Sequence, residues 1–251
     1  KAKVKPDARH GNPVYAAMVE SVDDSVGRIM RKLDEAGIAD RTVVIFTSDN
    51  GGINTKEPIP GAAMSNYPLR AGKGYLYEGG IREPLIIRFP EATSPGRVCE
   101  EPVSGADFYP TIIDLAGVES DPNHIVDGES LTPLLFETGG LSRKSIYWHY
   151  PHYCIHENPA PMMWNTPALG GRPGGVIRNG DFKLIEFYED NHLELYDLRK
   201  DIGEERNLAD AMPEKAKELH KLLRDWRESV GALMPVPNPD YTGEWKDEAV
   251  T

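Results

Sequence analysis

Apolar residues recur at helical spacing near the start of the chain. Tyr15, Val19, Val22, Val26, Ile29 and Leu33 follow one another at alternating steps of four and three, which puts them on one buried helix face. Asn12 is a good cap, Pro13 suits the first helical position, and Gly37 ends the run with a residue that tolerates left-handed backbone. A short turn then leads to Val43-Val44-Ile45-Phe46, a continuous apolar run within residues 42–48 that reads as a buried strand of a parallel sheet. Residues 84–89 predict the next buried strand. Residues 107–115 predict a short helix stopped by Gly117, and a turn with another short helix lies within 124–136. Between the two strands, residues 53–69 carry Pro58, Pro60, Gly61 and Pro68 without any periodicity, the mark of a long loop rimming a site.

The pattern changes near Gly139-Gly140. Ser145–Tyr150, 175–178, 182–188 and 193–198 read as four strands, with Asn179-Gly180 as a hairpin signal between two of them. Residues 213–230 predict an amphipathic helix with Leu219, Leu222, Leu223, Trp226 and Val230 on one face. The expected fold class is therefore α/β. Residues 1–140 form an α/β part, and residues 141–251 a small antiparallel sheet with one helix and an extended tail.

Candidate chemistry concentrates at the end of the first strand. Asp49 and Asn50 present oxygen donors beyond its carboxyl end, and Gly51-Gly52 let the backbone turn sharply beside them. Hard divalent cations take donors of this kind. Further on, Gly72-Lys73-Gly74-Tyr75-Leu76-Tyr77-Glu78-Gly79-Gly80-Ile81-Arg82 sets one lysine between glycines, a point charge fit to grip an oxyanion. Glu78 and Arg82 read as an internal ion pair that fixes this loop.

These two segments, in this order and spacing, resemble the second half of the type I, formylglycine-dependent sulfatases of the alkaline phosphatase superfamily, in their bacterial form. The resemblance extends to residues 13–23, to 107–117, and to Gly180-Asp181-Phe182-Lys183-Leu184 with Leu195-Tyr196-Asp197-Leu198 and Gly203-Glu204. It implies a C-terminal part of an alkaline-phosphatase-like sheet, a sulfuric-ester hydrolase activity, and a sulfated carbohydrate or aryl sulfate as substrate. It also implies that Asp49 and Asn50 hold Ca2+ or Mg2+, and that Lys73 contacts the sulfate as a catalytic residue. His149 and His152, in an aromatic segment that borders the substrate pocket in bacterial members, would bind substrate. The remaining metal ligands and the formylglycine are expected in an N-terminal half of the same protein.

The family's nucleophile motif, Cys or Ser-x-Pro-x-Arg, is missing here. Neither Cys99 nor Cys154 begins it, and both read as inert small side chains. Thr93-Ser94-Pro95-Gly96-Arg97 is the nearest pattern, but it follows a strand without a helix and reads as a surface loop. Two other functions are kept open by these residues: a phosphodiester or phosphonate hydrolase of the same superfamily, and a non-catalytic glycan-binding or structural fragment.

Composition adds limits. The formal charge of −12 argues against a nucleic-acid partner, and no apolar run reaches the roughly 18 residues of a membrane span. Within residues 69–97, five basic residues against three acidic ones leave a net +2 around the lysine loop, where an anionic substrate would sit. The start, Lys1-Ala2-Lys3-Val4-Lys5, shows no signal-peptide pattern and fits a chain cut from a longer one. A periplasmic or extracellular location follows from the resemblance only.

Overall fold

The computed structural model describes residues 12–52, 65–119, 121–152, 171–236 and 239. Helix α1 (Pro13–Glu35) starts where Asn12 Oδ1 accepts the backbone N–H groups of Val14 and Tyr15 at 2.9 and 3.1 Å. It ends in a Schellman motif, with Gly37 N donating to Asp34 O and Ile38 N to Leu33 O around Gly37 at φ +63°. The helix stands as predicted, but its apolar face is not covered. None of its residues is buried, and Val14, Met18, Val19, Val22 and Ile29 are each at least 52% exposed.

Strand β1 (Val44–Thr47) pairs antiparallel with β2 (Leu85–Arg88), with Ile45 opposite Ile87 and Phe46 opposite Ile86. This corrects the expectation of two buried strands of a parallel sheet. A continuous apolar run specifies burial on both faces, but it does not specify the direction of the neighbouring strand. Here Phe46 and Ile86 lie on an open face, at 39% and 63% exposure. Between the strands lies the four-residue helix α2 (Glu78–Ile81). After β2 come α3 (Phe108–Leu115) and α4 (Thr132–Leu135). Fully buried Asp107 anchors this region. Its carboxylate accepts Ser104 N, Glu129 N and both terminal nitrogens of Arg143.

The C-terminal part is a four-stranded antiparallel meander, β3 (Ser145–Tyr150), β4 (Gly174–Asn179), β5 (Phe182–Phe187) and β6 (His192–Asp197), with α5 (Pro213–Ser229) laid across it. The mixed α/β fold with a C-terminal antiparallel sheet and one helix is thus as expected. The hairpin turn falls one residue later than its signal. Asn179 still pairs with Phe182, so Gly180-Asp181 make the turn, and Gly180 takes φ +56°. His192 opens β6, one residue before the expected start of that strand at 193.

Period-two alternation splits the sheet into two apolar faces. Ile177, Leu184 and Leu195 pack under Ala216, Leu219 and Leu223 of α5. On the opposite face, Val176, Ile185, Phe187 and Tyr196 meet Leu76 and Tyr77, which arrive from the segment just before α2. The loop that carries Lys73 is therefore the lid of the C-terminal sheet.

Candidate active site

The end of β1 turns through Ser48–Asp49–Asn50. Ser48 Oγ donates to Asn50 O at 3.1 Å, and Asn50 Nδ2 donates to Asp49 Oδ1 at 2.9 Å. Asp49 is exposed and Asn50 half-buried. The next two residues stitch this turn to the lysine loop. Gly51 N donates to Gly80 O at 3.2 Å, while Gly52 O accepts Lys73 N at 3.1 Å and Asn66 Nδ2 at 2.8 Å. The contact is backbone against backbone. A Cβ on Gly51 would stand 1.8 Å from Gly79 O, one on Gly79 would stand 2.3 Å from Ala71 O, and one on Gly80 would stand 2.2 Å from Tyr75 O. The glycines thus bring Asp49, Asn50 and Lys73 onto two adjoining turns. Lys73 itself is exposed.

Glu83, one residue past Arg82, joins this neighbourhood. Its Oε1 is shielded from solvent and has no hydrogen-bond partner among the described residues. Partial burial, and then the charge of Asp49, push its carboxyl above the usual range. Two carboxyl groups and an amide oxygen in one neighbourhood suit a hard cation. They do not fill a shell of roughly six to eight oxygens. Among the described residues, no group of three or more His, Cys, Asp or Glu side chains is assembled that could hold a metal ion.

Glu78 lies under the loop, only 2% exposed. Arg82 approaches its Oε2 at 3.5 Å, and Arg178 of β4 does so at 3.6 Å. The shortest ion pair of its carboxylate is one the sequence reading missed: Lys183 Nζ at 3.0 Å from Oε1. The same ammonium lies 2.8 Å from Glu204 Oε1, and Glu204 Oε2 accepts Glu78 N at 2.7 Å. Lys183 and Glu204 are both 0% exposed, and burial pushes the Glu204 carboxyl up even though Lys183 favours its ion. Beside them, Arg70 stacks over Tyr77 at 3.8 Å and donates to Tyr196 Oη and to Glu204 O. Tyr77 and Tyr196 both donate their hydroxyls to Glu194 Oε2. One signal for this cluster did exist. Lys183 sits on the same strand face as Ile185 and Phe187, and a cation on a buried apolar face needs a buried anion to meet it.

His149 and His152 lie apart from that network. His149 Nδ1 is 2.7 Å from Tyr188 Oη and its Nε2 is 2.9 Å from Leu233 O, so both ring nitrogens have partners within the chain. His152 is exposed, with its ring 4.1 Å from that of Tyr150. The Thr93 hydroxyl donates to Phe89 O at 2.8 Å and accepts Phe89 N at 3.0 Å, the bonding of a turn after a strand. Arg97 reaches away to Leu134 O and Glu137. Cys154 and most of the 53–69 loop lie outside the described residues; Cys99 is exposed.

Comparison with known proteins gives concordant matches. Residues 3–118 match the family model described as "Sulfatase", and residues 71–229 match the model "N-sulphoglucosamine sulphohydrolase, C-terminal". A protein named sulfatase from Formosa agariphila is 34% identical over 249 residues, covering 90% of this chain and 41% of the relative. The N-acetylglucosamine-6-O-sulfatase of Bacteroides thetaiotaomicron is 33% identical over 217 residues, covering 84% of this chain and 34% of the relative. Among solved structures, one in complex with its substrate D-glucosamine-2-N,6-O-disulfate superposes with a TM-score of 0.64 at 31% identity, over 87% of this chain and 40% of the other. A phosphonate monoester hydrolase from Silicibacter pomeroyi superposes with a TM-score of 0.60 at 28% identity, over 83% and 39%. The chain spans about two fifths of the length of the curated relatives it matches.

Proposed function

Because this chain belongs to the sulfatase family, we propose that it supplies part of the active site of a hydrolase that cleaves a sulfate ester on a sugar. The observation that carries the reading is the backbone suture of the Asp49–Asn50 turn to the Lys73 loop through Gly51, Gly52 and Gly80. It joins the backbone that carries a pair of oxygen donors to the backbone that carries the exposed Lys73. Sulfate-ester cleavage needs a nucleophile, a sink for charge on the sulfuryl oxygens, and help for the leaving oxygen.

In this reading Asp49 and Asn50 hold Ca2+ or Mg2+, which when bound neutralises sulfuryl charge. Their remaining co-ligands, and the formylglycine nucleophile, come from residues outside these 251, in an N-terminal half of the same protein. Lys73 contacts the sulfate. An ammonium suits a tetrahedral anion because it needs no fixed approach direction. His149, its ring held by Tyr188 and the Leu233 carbonyl, and the exposed His152 form part of the sugar wall. The sugar class is supported by the relatives named for, or solved with, sulfated glucosamines. Among the described residues, no helix is long and apolar enough to cross a membrane, and a periplasmic or extracellular site of action is proposed from the bacterial relatives.

The second reading is phosphonate or phosphodiester hydrolysis, favoured by the superposition on a phosphonate monoester hydrolase. Both are tested by joining this chain to an upstream half that carries the nucleophile motif and assaying sulfate, phosphonate and phosphate esters side by side. Preferential sulfate turnover, lost on Lys73→Ala and absent from the 251-residue chain alone, is expected. Preferential phosphonate turnover would replace the first reading by the second. No turnover with either ester class would leave a glycan-binding or structural role.

A further inference from the structure

We propose that Glu204 and Lys183 are positioning residues that hold both turns of the candidate site from beneath, so that the C-terminal sheet sets the placement of Asp49, Asn50 and Lys73. The structural part of this proposal stands on the geometry of the chain, and its catalytic consequence rests on the sulfatase reading above.

The hub is α2. Four residues cannot sustain a helix by themselves, since nucleation is unfavourable until several turns are formed. Its N-cap residue, Tyr77, makes no side-chain hydrogen bond to the helix start. The cap arrives instead from 126 residues away, where Glu204 Oε2 accepts Glu78 N at 2.7 Å. A carboxylate at a helix start is favourable, because it meets N–H groups that have no partner within the helix.

Glu204 occupies this place against its own backbone preference. Its φ is +51°, the left-handed region that a side-chain residue adopts at a cost. Glycine would take that φ freely but could cap nothing. Glu204 Oε2 accepts Glu78 N and its carbonyl accepts Arg70 at 2.7 Å, while Oε1 forms an ion pair with Lys183 at 2.8 Å without the geometry of a hydrogen bond. Lys183 in turn reaches Glu78 Oε1 at 3.0 Å, so one ammonium ties β5 to α2 and to the Glu204 turn. Both side chains are fully buried, so neither touches a substrate.

Movement of α2 has nowhere to be absorbed. Gly80 O holds Gly51 N, next to Asn50, while Gly79 N holds Arg70 O. A Cβ on Gly80 would lie 2.5 Å from Gly72 O, the residue before Lys73. Backbones this close shift together. Displacing Glu78 therefore displaces both turns.

Hydrogen exchange on the full 251-residue chain is the first test. Glu204→Gln keeps an acceptor for Glu78 N but loses the charge, Lys183→Met removes the ammonium, and Glu204→Gly relaxes the backbone while removing the cap. In Glu204→Gly and Lys183→Met, amides of residues 48–52 and 70–82 should exchange at least about tenfold faster while those of β4, β5 and α5 keep their protection. Glu204→Gln should fall in between, a graded rescue. Uniform acceleration across the sheet and α5, or no change at the two turns, would overturn the proposal.

The second test uses the active two-half protein and a double-substitution cycle. If Lys183 acts through the lysine loop, Lys183→Met should lower kcat about tenfold or more in the parent and by less than about threefold in the Lys73→Ala background. Independent multiplication of the two effects would reject coupling to Lys73. Normal turnover of Lys73→Ala itself would reject the sulfate role of that lysine, with the exchange result deciding the positioning role separately.

Discussion

Gly51→Ala is the sharpest single perturbation of the site. The added Cβ would lie 1.8 Å from Gly79 O, 2.7 Å from Gly79 C and 2.9 Å from Gly80 Cα, all backbone atoms. Contacts under 3.0 Å are not tolerated by real Cβ atoms, so the two strands of chain must part by at least about 1.2 Å. Gly79 cannot retreat, because any Cβ there would itself meet Ala71 O and Arg70 O at 2.3 and 2.5 Å, which measures how closely it is backed. Parting breaks the 3.2 Å bond from Gly51 N to Gly80 O. Overpacking costs about 1–3 kcal/mol and the lost hydrogen bond about 0.5–1.5, so a total of about 1.5–4.5 kcal/mol is expected. In a chain of this size that lowers Tm by about 3–18 °C. Thermal and urea unfolding followed by circular dichroism measure it, with hydrogen exchange of residues 48–52 to detect a turn that detaches locally. Gly105→Ala is the control, since nothing lies within 4 Å of its Cβ, and it should stay within about 0.5 kcal/mol of the parent. A Gly51→Ala chain with unchanged Tm and unchanged exchange would show that the two turns are not packed as described.

Lys73→Ala, at an exposed position, should leave Tm unchanged while lowering sulfate turnover of the two-half protein about a hundred- to thousand-fold; near-normal kcat rejects the assigned role. Arg143→Met strands the fully buried Asp107 carboxylate and should cost about 3–5 kcal/mol in urea unfolding, with part regained by adding Asp107→Asn; a loss under about 1 kcal/mol refutes the anchoring role. Burial opposes ionisation of Glu186, yet His220, 2.9 Å from its Oε1, and the hydrogen bond from Arg227 outweigh it and hold its carboxyl below the usual glutamate value. A lowered folded value means that this stabilisation is complete above the unfolded pKa of about 4.3 and is lost as pH falls through the folded one. Glu186→Gln should accordingly flatten the acid limb of the Tm–pH curve below about pH 4.5, and an unaltered slope would remove Glu186 from that limb.

Local signals were sufficient for much of the chain. The caps and stripe of α1, the short helix before Gly117, the four C-terminal strands and α5 are written in spacing and in cap and turn residues, because those depend on neighbours a few positions away. The grouping of Asp49-Asn50-Gly51-Gly52 with the lysine loop was legible as motif order, although not as contact. Three things were decided only in three dimensions. Strand direction was one: Val43–Phe46 could not say that its described neighbour is antiparallel or that Phe46 is left open, since apolar content reports burial and not the partner. The role of Glu78 was another. Sequence proximity suggested Arg82, at 3.5 Å, whereas the buried Lys183 lies closer and comes from 105 positions away. The last was the seat of the lysine loop itself. Leu76 and Tyr77 looked like loop residues, yet they complete the second face of the C-terminal sheet, because its alternating strands carried two apolar faces and α5 could cover only one.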